Sequence, residues 1–556
     1  MIESLGKLPN PKLNIPNSKS DVMDAACIDY KDTGYFSQTV IDYLEDKPEL
    51  RPFYSHRPDI EGFKALLKDR KVYADRELLT KVLSEQYEQI SKLDIRNSKL
   101  VHDNIDLLRS PNTYTITTGH QLNIFAGPLY FIYKIVTVIK LARQLKQAFP
   151  DQNFVPIYWM ASEDHDFAEI NYTNIGGKKV HWWYEASGAT GRINPDTMRQ
   201  ALNQYKGVLG LDHHAGELAE IVENAYAKFH KLADATRYLV NALFGQYGLV
   251  IIDADDHDLK KQFAGIIEQD ITRQNSFRNI EATNKQLEEL DVHIQVNPRE
   301  INFFYLSDGL RERIVFEDDV YKVLNTEINF SKDEMQKEIH DFPERFSPNV
   351  VMRPLYQEYI LPNIAYIGGG AEVVYWLELK SNFDYYQVDF PILILRNSGL
   401  IIPKQSASKI ARMELSPCEL FKSTVTIKTD WVKKHSDHEL SLREEWRELQ
   451  HIFEKLRLRS FKIDATLAQS TSAVEARLER AINNLEKKLI RAEKRNHQVQ
   501  LEQIDHVKAE LFPKDSLQER TENFGLFYVK WGQTFIDELV RNFDPLDFKF
   551  TVLTEK

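Results

Sequence analysis

The chain has only two cysteines in 556 residues, Cys27 and Cys418. They stand far apart in sequence, so a disulfide framework and a cysteine-built zinc site are both excluded, and reduced thiols in a cytosolic protein are expected. No stretch approaches the roughly 20 apolar residues of a membrane span. The most apolar helical window, Pro128 to Ala142, is interrupted by Lys134 and Lys140. The start, Met1-Ile2-Glu3-Ser4-Leu5-Gly6-Lys7, lacks a basic segment followed by an apolar one, so no secretory leader is expected. These absences predict a soluble, cytoplasmic protein without a membrane partner. Positive charge is also in deficit. The 71 Lys and Arg stand against 83 Asp and Glu, a formal net charge of −12. A field of that sign opposes phosphate polymers, and no nucleic-acid partner is expected. The chain has no internal repeat and no low-complexity tract.

What is present is a globular balance, 42% hydrophobic and 28% charged. The length suits three or four structural units, or one large domain with insertions. Residues 54–108 carry helical spacing. The β-rich run Thr113–Thr118 stops at Gly119, and Gly127-Pro128 opens a long helix through Leu129, Ile132, Val136 and Ile139. Val155–Ala161, Gly248–Asp253 and Pro391–Arg396 read as further strands, the first apolar enough to be buried on both faces. Strands alternating with helices predict a mostly parallel sheet with right-handed crossovers. Short alternating runs such as Val180–Tyr184 and Ile301–Tyr305 read as insertions near 175–225 and 270–345.

Between Trp431 and about Leu511 glycine and proline disappear. Val474, Leu478, Ile482, Leu485, Leu489 and Ala492 step at coiled-coil spacing, and Trp446, Leu449, Phe453 and Leu456 form an upstream arm. A joint between residues 460 and 472 predicts an antiparallel helical hairpin, a protruding arm or dimer contact. Phe548–Leu553 predicts one more strand returning to the body. The expected division is a core over 1–430, an arm over 431–515 and a returning segment over 516–556.

Three segments concentrate chemistry. In the first, Thr117–Tyr130, a strand end meets a helix start, the place where open α/β sheets bind ligands. Free N–H groups there favour an anion. Gly119 and Gly127 allow close backbone approach, and His120 and Gln121 add polar contacts. The spacing matches neither Walker A nor G-x-G-x-x-G. The second is Glu163-Asp164-His165-Asp166, at the end of a buried strand. Burying unpaired charge is expensive, which favours a functional reading over an acidic cap. General acid/base work, Mg²⁺ ligation and hydrogen bonding to amine and hydroxyl groups all stay open. The third joins Arg353 to the run from Tyr366 through Gly368-Gly369-Gly370 and Glu372 to Trp376. Its glycine N–H groups can cradle a carboxylate or phosphate, and Tyr366 and Trp376 can wall a pocket. Glu372 suits an amine contact or the helix dipole. Arg353 suits an anionic substrate or a structural ion pair. Weaker candidates are Asp253–Asp258, for a ribose or sugar, and Arg396-Asn397-Ser398. Lys404–Lys409 reads as the start of a helix.

Thr118-Gly119-His120-Gln121…Gly127-Pro128-Leu129-Tyr130, Ser162-Glu163-Asp164-His165-Asp166 and Ala365-Tyr366-Ile367-Gly368-Gly369-Gly370…Tyr375-Trp376 occur in this order. With Arg396-Asn397-Ser398, the helical arm and the Asp544-Pro545-Leu546-Asp547-Phe548 tail, the sequence resembles the cysteine-adding enzyme (cysteine ligase) of bacillithiol biosynthesis over nearly its whole length. The resemblance implies an α/β fold: a Rossmann-like parallel-sheet core of the class I synthetase and nucleotidylyltransferase type, with connective insertions. It also implies a C-terminal antiparallel coiled-coil arm used for homodimerisation.

The implied reaction joins L-cysteine to the amine of malyl-glucosamine. An amide from a free carboxylate and an amine is uphill in water, so ATP, accompanied by Mg²⁺, is the expected activator, and no tightly bound metal is expected. On this resemblance the turn of Gly119, His120, Gln121 and Gly127 is expected to hold the nucleotide. The residues themselves lead to the expectation that His120, Glu163, Asp164, His165 and Asp166 are catalytic, the acidic run orienting the amine and hydroxyls, and that Arg353, Tyr366, Gly368, Gly369, Gly370, Glu372, Trp376, Arg396 and Asn397 bind substrate. Two other readings stay open. One is a tRNA-dependent or editing synthetase-like enzyme, using the basic stretch Arg477, Arg480, Lys487, Lys488, Arg491, Lys494 and Arg495. The other is a non-catalytic coiled-coil scaffold that binds a nucleotide. The ligase reading requires the three segments to converge on one crevice at the sheet rim.

Overall fold

The central sheet has five strands: β1 (Thr113–His120), β2 (Asn153–Met160), β3 (Val250–Asp253), β4 (Asn363–Gly368) and β5 (Ile392–Leu395). Every neighbouring pair is parallel, and the spatial order is β5-β4-β1-β2-β3. The structure, a computed structural model, describes residues 22–91 and 99–556. Met1–Lys7, on which the leader expectation rests, lies outside the described residues, as does 92–98 within the N-terminal helical stretch.

The strands are largely buried because helices cover both faces of the sheet; β2, β3 and β5 are mostly apolar, whereas β1 is rich in threonine. On one side Ile116, Ile364, Ile367, Ile392 and Ile394 pack with Val138 and Leu141 of α1 (Leu129–Ala148) and with Phe63 and Leu66 of the helix Ile60–Asp69. Pro128 is the cap residue just before α1 rather than its first helical residue. The glycine run is preceded by a strand that the sequence pattern does not mark, β4, whose register against β1 shifts between Asn363 and Ala365.

A polar seam crosses this otherwise apolar layer between β1 and β4. The Thr115 and Thr117 hydroxyls donate to Asn363 Oδ1 at 3.0 and 2.8 Å, and the Thr118 hydroxyl donates to the Ile367 carbonyl at 2.8 Å. Asn363 Nδ2 in turn donates to Glu358 Oε1 at 2.6 Å, and Glu358 is ion-paired with buried Arg70. A buried polar group without a partner costs more than an ordinary hydrogen bond contributes. The seam therefore sets which strand lies beside β1 and in what register.

After β1 the chain runs outward through β2 and β3, then crosses back to place β4 on the other side of β1. The reversal leaves a crevice beyond the carboxyl ends of β1 and β4, the switch point at which such sheets bind ligands. The connection from β2 to β3 carries the hairpin Tyr172–Ile175/Lys178–His181 and three longer helices, Arg199–Leu209, Ala215–Lys228 and Leu232–Phe244. That from β3 to β4 carries a separate antiparallel sheet built from strands between Phe303 and Pro348, then α2 (Arg353–Ile360). α3 (Gly370–Tyr386) joins β4 to β5.

Beyond β5 the strand Gly399–Ile402 pairs in parallel with the last strand, Lys549–Glu555, which pairs antiparallel with Met23–Asp29. The tail therefore returns to the body. Between them α4 (Arg443–Ile463) and α5 (Ala465–Asn496) form the arm, and Asp464 at the joint caps α5 by accepting from Thr466 N at 2.7 Å. No helix among the described residues is long and apolar enough to cross a membrane.

Asn363→Ala strips partners from two buried hydroxyls and from Glu358. A loss of about 3 kcal/mol in unfolding free energy is expected, measured as a lower urea midpoint at unchanged m-value.

Candidate active site

A cavity of about 520 Å³ opens at the switch point. The end of β1 contributes Gly119, His120 and Gln121, and α1 contributes Tyr130 and Lys134. The turn after β2 brings Asp164, and the first turns of α2 bring Arg353 and Gln357. Tyr366, Gly369, Gly370, Glu372, Tyr375 and Trp376 come from β4 and α3, and Arg396 follows β5. The three predicted segments therefore meet in one crevice.

Its floor is an ion pair. Lys134 Nζ, with a side chain 4% exposed, lies 2.5 Å from Glu372 Oε2 and donates to the Gly119 carbonyl at 2.8 Å. Glu372 also accepts from Gly369 N at 2.7 Å and from the Tyr366 hydroxyl at 2.9 Å. Burial pushes Lys134 below its usual range. Against burial, the Lys134 charge, the Gly369 N–H and the Tyr366 hydroxyl hold Glu372 below the usual carboxylate range. Glu372 is thus saturated as a cap of its own helix. Tyr366 stacks on Trp376 with ring centroids 4.4 Å apart, forming an aromatic wall. A side chain at Gly119 would begin 3.4 Å from the Tyr366 hydroxyl, so the bare backbone keeps this corner open.

His120 stacks on Phe131 at 5.0 Å, and its buried Nε2 has no hydrogen-bond partner among the described residues. Burial, reinforced by Lys134 and Arg396, drives its pKa well below the usual imidazole value. The ring is neutral at pH 7 and offers a hydrogen bond rather than a proton. Asp164 accepts from Gln121 Nε2 at 2.9 Å and from His165 N at 2.8 Å. Against burial, the Arg353 charge, the Gln121 amide and the Arg311 charge hold it ionised. Arg353 has no hydrogen bond or ion pair from its guanidinium to any described residue. Arg396 does: it reaches Glu519 at 2.7 Å and Ser398 Oγ at 3.0 Å, with its guanidinium over the Tyr130 ring.

Other predicted site residues fall outside the cavity. Gly127 follows Phe125 and Ala126, all three in the left-handed region with φ of 57, 54 and 61°. A Cβ on Gly127 would lie 2.6 Å from that of Asn123, so the turn itself demands the glycine. Gly368 does not line the cavity, and its carbonyl accepts from Arg396 N at 2.8 Å. Asn397 Nδ2 donates to the Asp544 carbonyl at 2.9 Å. Glu163 turns away into a buried ion pair with Lys260. His165 Nδ1 accepts from Arg311 at 2.6 Å, and Asp166 caps the short helix Phe167–Ile170. The reason is local: Asp164 N bonds back to the Ala161 carbonyl, so the chain turns directly after β2 and the four side chains diverge.

Lys134, Tyr375, Gln357 and Arg520 line the cavity without having been singled out as site residues. Lys134 had left a trace, a charge inside the most apolar helix. Arg520 had left none. A separate cavity of about 370 Å³, sharing no lining residue with the first, collects Asp253, Asp255 and Arg192. Burial, then the Asp255 charge, pushes Asp253 up to about 6. Among the described residues no group of three or more His, Cys, Asp or Glu side chains stands where it could hold a metal ion.

The unfolded chain protonates His120 below about pH 6.5, whereas the folded chain keeps it neutral to well below that. Acid therefore feeds protons to the unfolded state, and stability falls as pH drops through 6.5. His120→Gln is expected to flatten that fall, read as a smaller shift in urea midpoint between pH 7.5 and 5.5.

Comparison with known sequences adds the family. The description "Bacillithiol biosynthesis BshC, N-terminal Rossmann-like domain" matches residues 23–397, and "Bacillithiol biosynthesis BshC, C-terminal coiled-coil domain" matches residues 399–555. A Flavobacterium johnsoniae protein named "Putative cysteine ligase BshC" is 44% identical over 535 residues, covering 96% of this chain and 100% of its own. A protein of the same name from Christiangramia forsetii is 42% identical over 539 residues, covering 96% and 99%. The arginyl-tRNA synthetase of Thermus thermophilus aligns at 11% identity over 80% of this chain and 83% of its own, with a TM-score of 0.14, and at that score the likeness carries no weight. Matched over residues 23–397 and 399–555 by the two domain descriptions, the chain belongs to the BshC family of bacillithiol biosynthesis.

Proposed function

We propose that the protein is a ligase that joins the carboxylate of L-cysteine to the amine of malyl-glucosamine, with ATP as activator, to form bacillithiol in the cytoplasm. The observation that carries this reading is one cavity, at the switch point, that holds an unpaired guanidinium, Arg353, beside an ionised carboxylate, Asp164. The relatives' name as cysteine ligases supports the same chemistry.

Arg353 suits a substrate carboxylate, since a guanidinium offers paired donors in the geometry a carboxylate accepts. Asp164 accepts hydrogen bonds from the amine and hydroxyls of the sugar. Held ionised by its neighbours, it is a weak base, and His120, held neutral, is another. Their contribution is to orient the amine against the activated carboxyl, and positioning of that kind lowers a barrier substantially. The Tyr366–Trp376 wall keeps bulk water from that side.

ATP, when bound, supplies the phosphoanhydride whose cleavage drives an otherwise uphill bond. The residues that fit its phosphates are the Gly119–Gln121 backbone and the first turn of α3 at Gly370 and Ala371. Of the two carboxylates lining the cavity Glu372 is already saturated, leaving only Asp164 to meet a cation. A magnesium ion would therefore enter on the nucleotide rather than reside in the protein.

The arm is the proposed homodimer contact. Leu458, Phe461, Ile463 and Val474 are exposed along α4 and α5, apolar surface that a second copy would cover. Sedimentation velocity should give twice the chain mass, and Phe461→Glu with Val474→Glu should return it to 64.9 kDa.

Purified protein mixed with ATP, Mg²⁺, L-cysteine and malyl-glucosamine should yield bacillithiol by mass spectrometry, and a folded sample that makes none rejects the proposal. Asp164→Asn is expected to lower kcat/KM on the order of a hundredfold.

A further inference from the structure

The cavity is not completed by the Rossmann-like portion alone. One of its lining side chains, Arg520, arrives from the opposite end of the chain, within the region matched by the coiled-coil domain description. The segment that delivers it, Gln518–Gly525, is fixed on both sides. Gln518 bonds to the N–H and carbonyl of Ile401 at 3.0 and 3.1 Å. Glu519, fully buried, accepts from Arg396 at 2.7 Å and from Gly399 N at 2.9 Å. Asn523, also fully buried, donates to the Phe125 and Gly127 carbonyls at 2.8 and 2.7 Å, holding the left-handed turn that leads into α1.

Between these anchors Arg520 is exposed to solvent at the mouth of the cavity it lines, and its guanidinium makes no hydrogen bond or ion pair with any described residue. The charge pattern is selective. Lys134 and Arg396 are neutralised by Glu372 and Glu519. Arg353 and Arg520 have no such partner, and the remaining lining carboxylate, Asp164, is one charge against two. A cavity with two uncommitted guanidinium groups favours a ligand carrying two carboxylates.

We propose that Arg520 is a substrate-binding residue, taking one carboxylate of a dicarboxylate substrate while Arg353 takes the other, so that the C-terminal domain supplies part of the active site. This rests on the ligase reading only in naming malyl-glucosamine as that dicarboxylate. A single positive charge on Lys would replace the guanidinium incompletely, because it lacks the paired donors.

Isothermal titration calorimetry on the full-length protein tests this, using malyl-glucosamine and L-malate as separate probes against wild type, Arg520→Gln and Arg520→Lys. At least tenfold weaker binding is expected for Arg520→Gln, a smaller loss for Arg520→Lys, and an unchanged thermal midpoint for both, since the side chain has no protein partner to lose. A malate mono-amide, short of one carboxylate, should bind wild type and Arg520→Gln about equally. Equal affinity of wild type and Arg520→Gln for the dicarboxylates overturns the proposal while leaving the ligase reading intact. If wild type binds L-malate through Arg520 but ignores malyl-glucosamine, the ligase reading fails and Arg520 keeps its assignment. Wild type binding neither probe overturns both.

Discussion

The Lys134–Glu372 ion pair holds together the two halves of the crevice. Lys134 rides on the helix after β1, and Glu372 opens the helix after β4. Their contact spans the point where the sheet reverses direction. Two charges taken out of water are tolerated only when their pairing is supported by further hydrogen bonds. Lys134 has such a bond to the Gly119 carbonyl, and Glu372 has them from the Gly369 N–H and the Tyr366 hydroxyl. The same bonds that satisfy the pair therefore place the glycine turn, the start of α3 and one aromatic wall. The floor of the cavity is rigid because leaving any of these groups unpaired would be costly.

A second constraint comes from the end of the chain. Glu519 neutralises Arg396 beneath the cavity, and Asn523 pins three consecutive left-handed residues ahead of α1. Phe125 and Ala126 adopt that conformation at a steric cost that a surrounding network must offset. The C-terminal segment is part of that network. The boundary between the two family descriptions, at residues 397 and 399, thus does not coincide with a break in the packing: residues 519 and 523 bond to groups before it.

Much of this was readable in the residues. β2, β3 and β5 stood out as short apolar runs, β1 as a β-branched threonine run ending at Gly119, and the helical arm as a region without glycine or proline. The convergence of the histidine turn, Asp164 and the glycine run followed from the rule that ligands gather at strand carboxyl ends. The family likeness, which covers the insertions and the arm, agreed with the domain matches. Less readable was which member of each motif faces the ligand. Glu163, Asp164, His165 and Asp166 are neighbours of one chemical type, but a reverse turn sends one to Lys260, one to the cavity, one to Arg311 and one to a helix cap.

The sequence by itself determined the alternation of strand and helix, the arm and the three chemical segments, because hydrophobic periodicity and glycine placement are local properties. Only the tertiary structure decided the strand order, the saturation of Glu372, the exclusion of Gly127, Gly368 and Asn397 from the cavity, and the arrival of Arg520. Each of those depends on a hydrogen bond, an ion pair or a free guanidinium whose surroundings are supplied by residues distant along the chain, and no local pattern records such a partner.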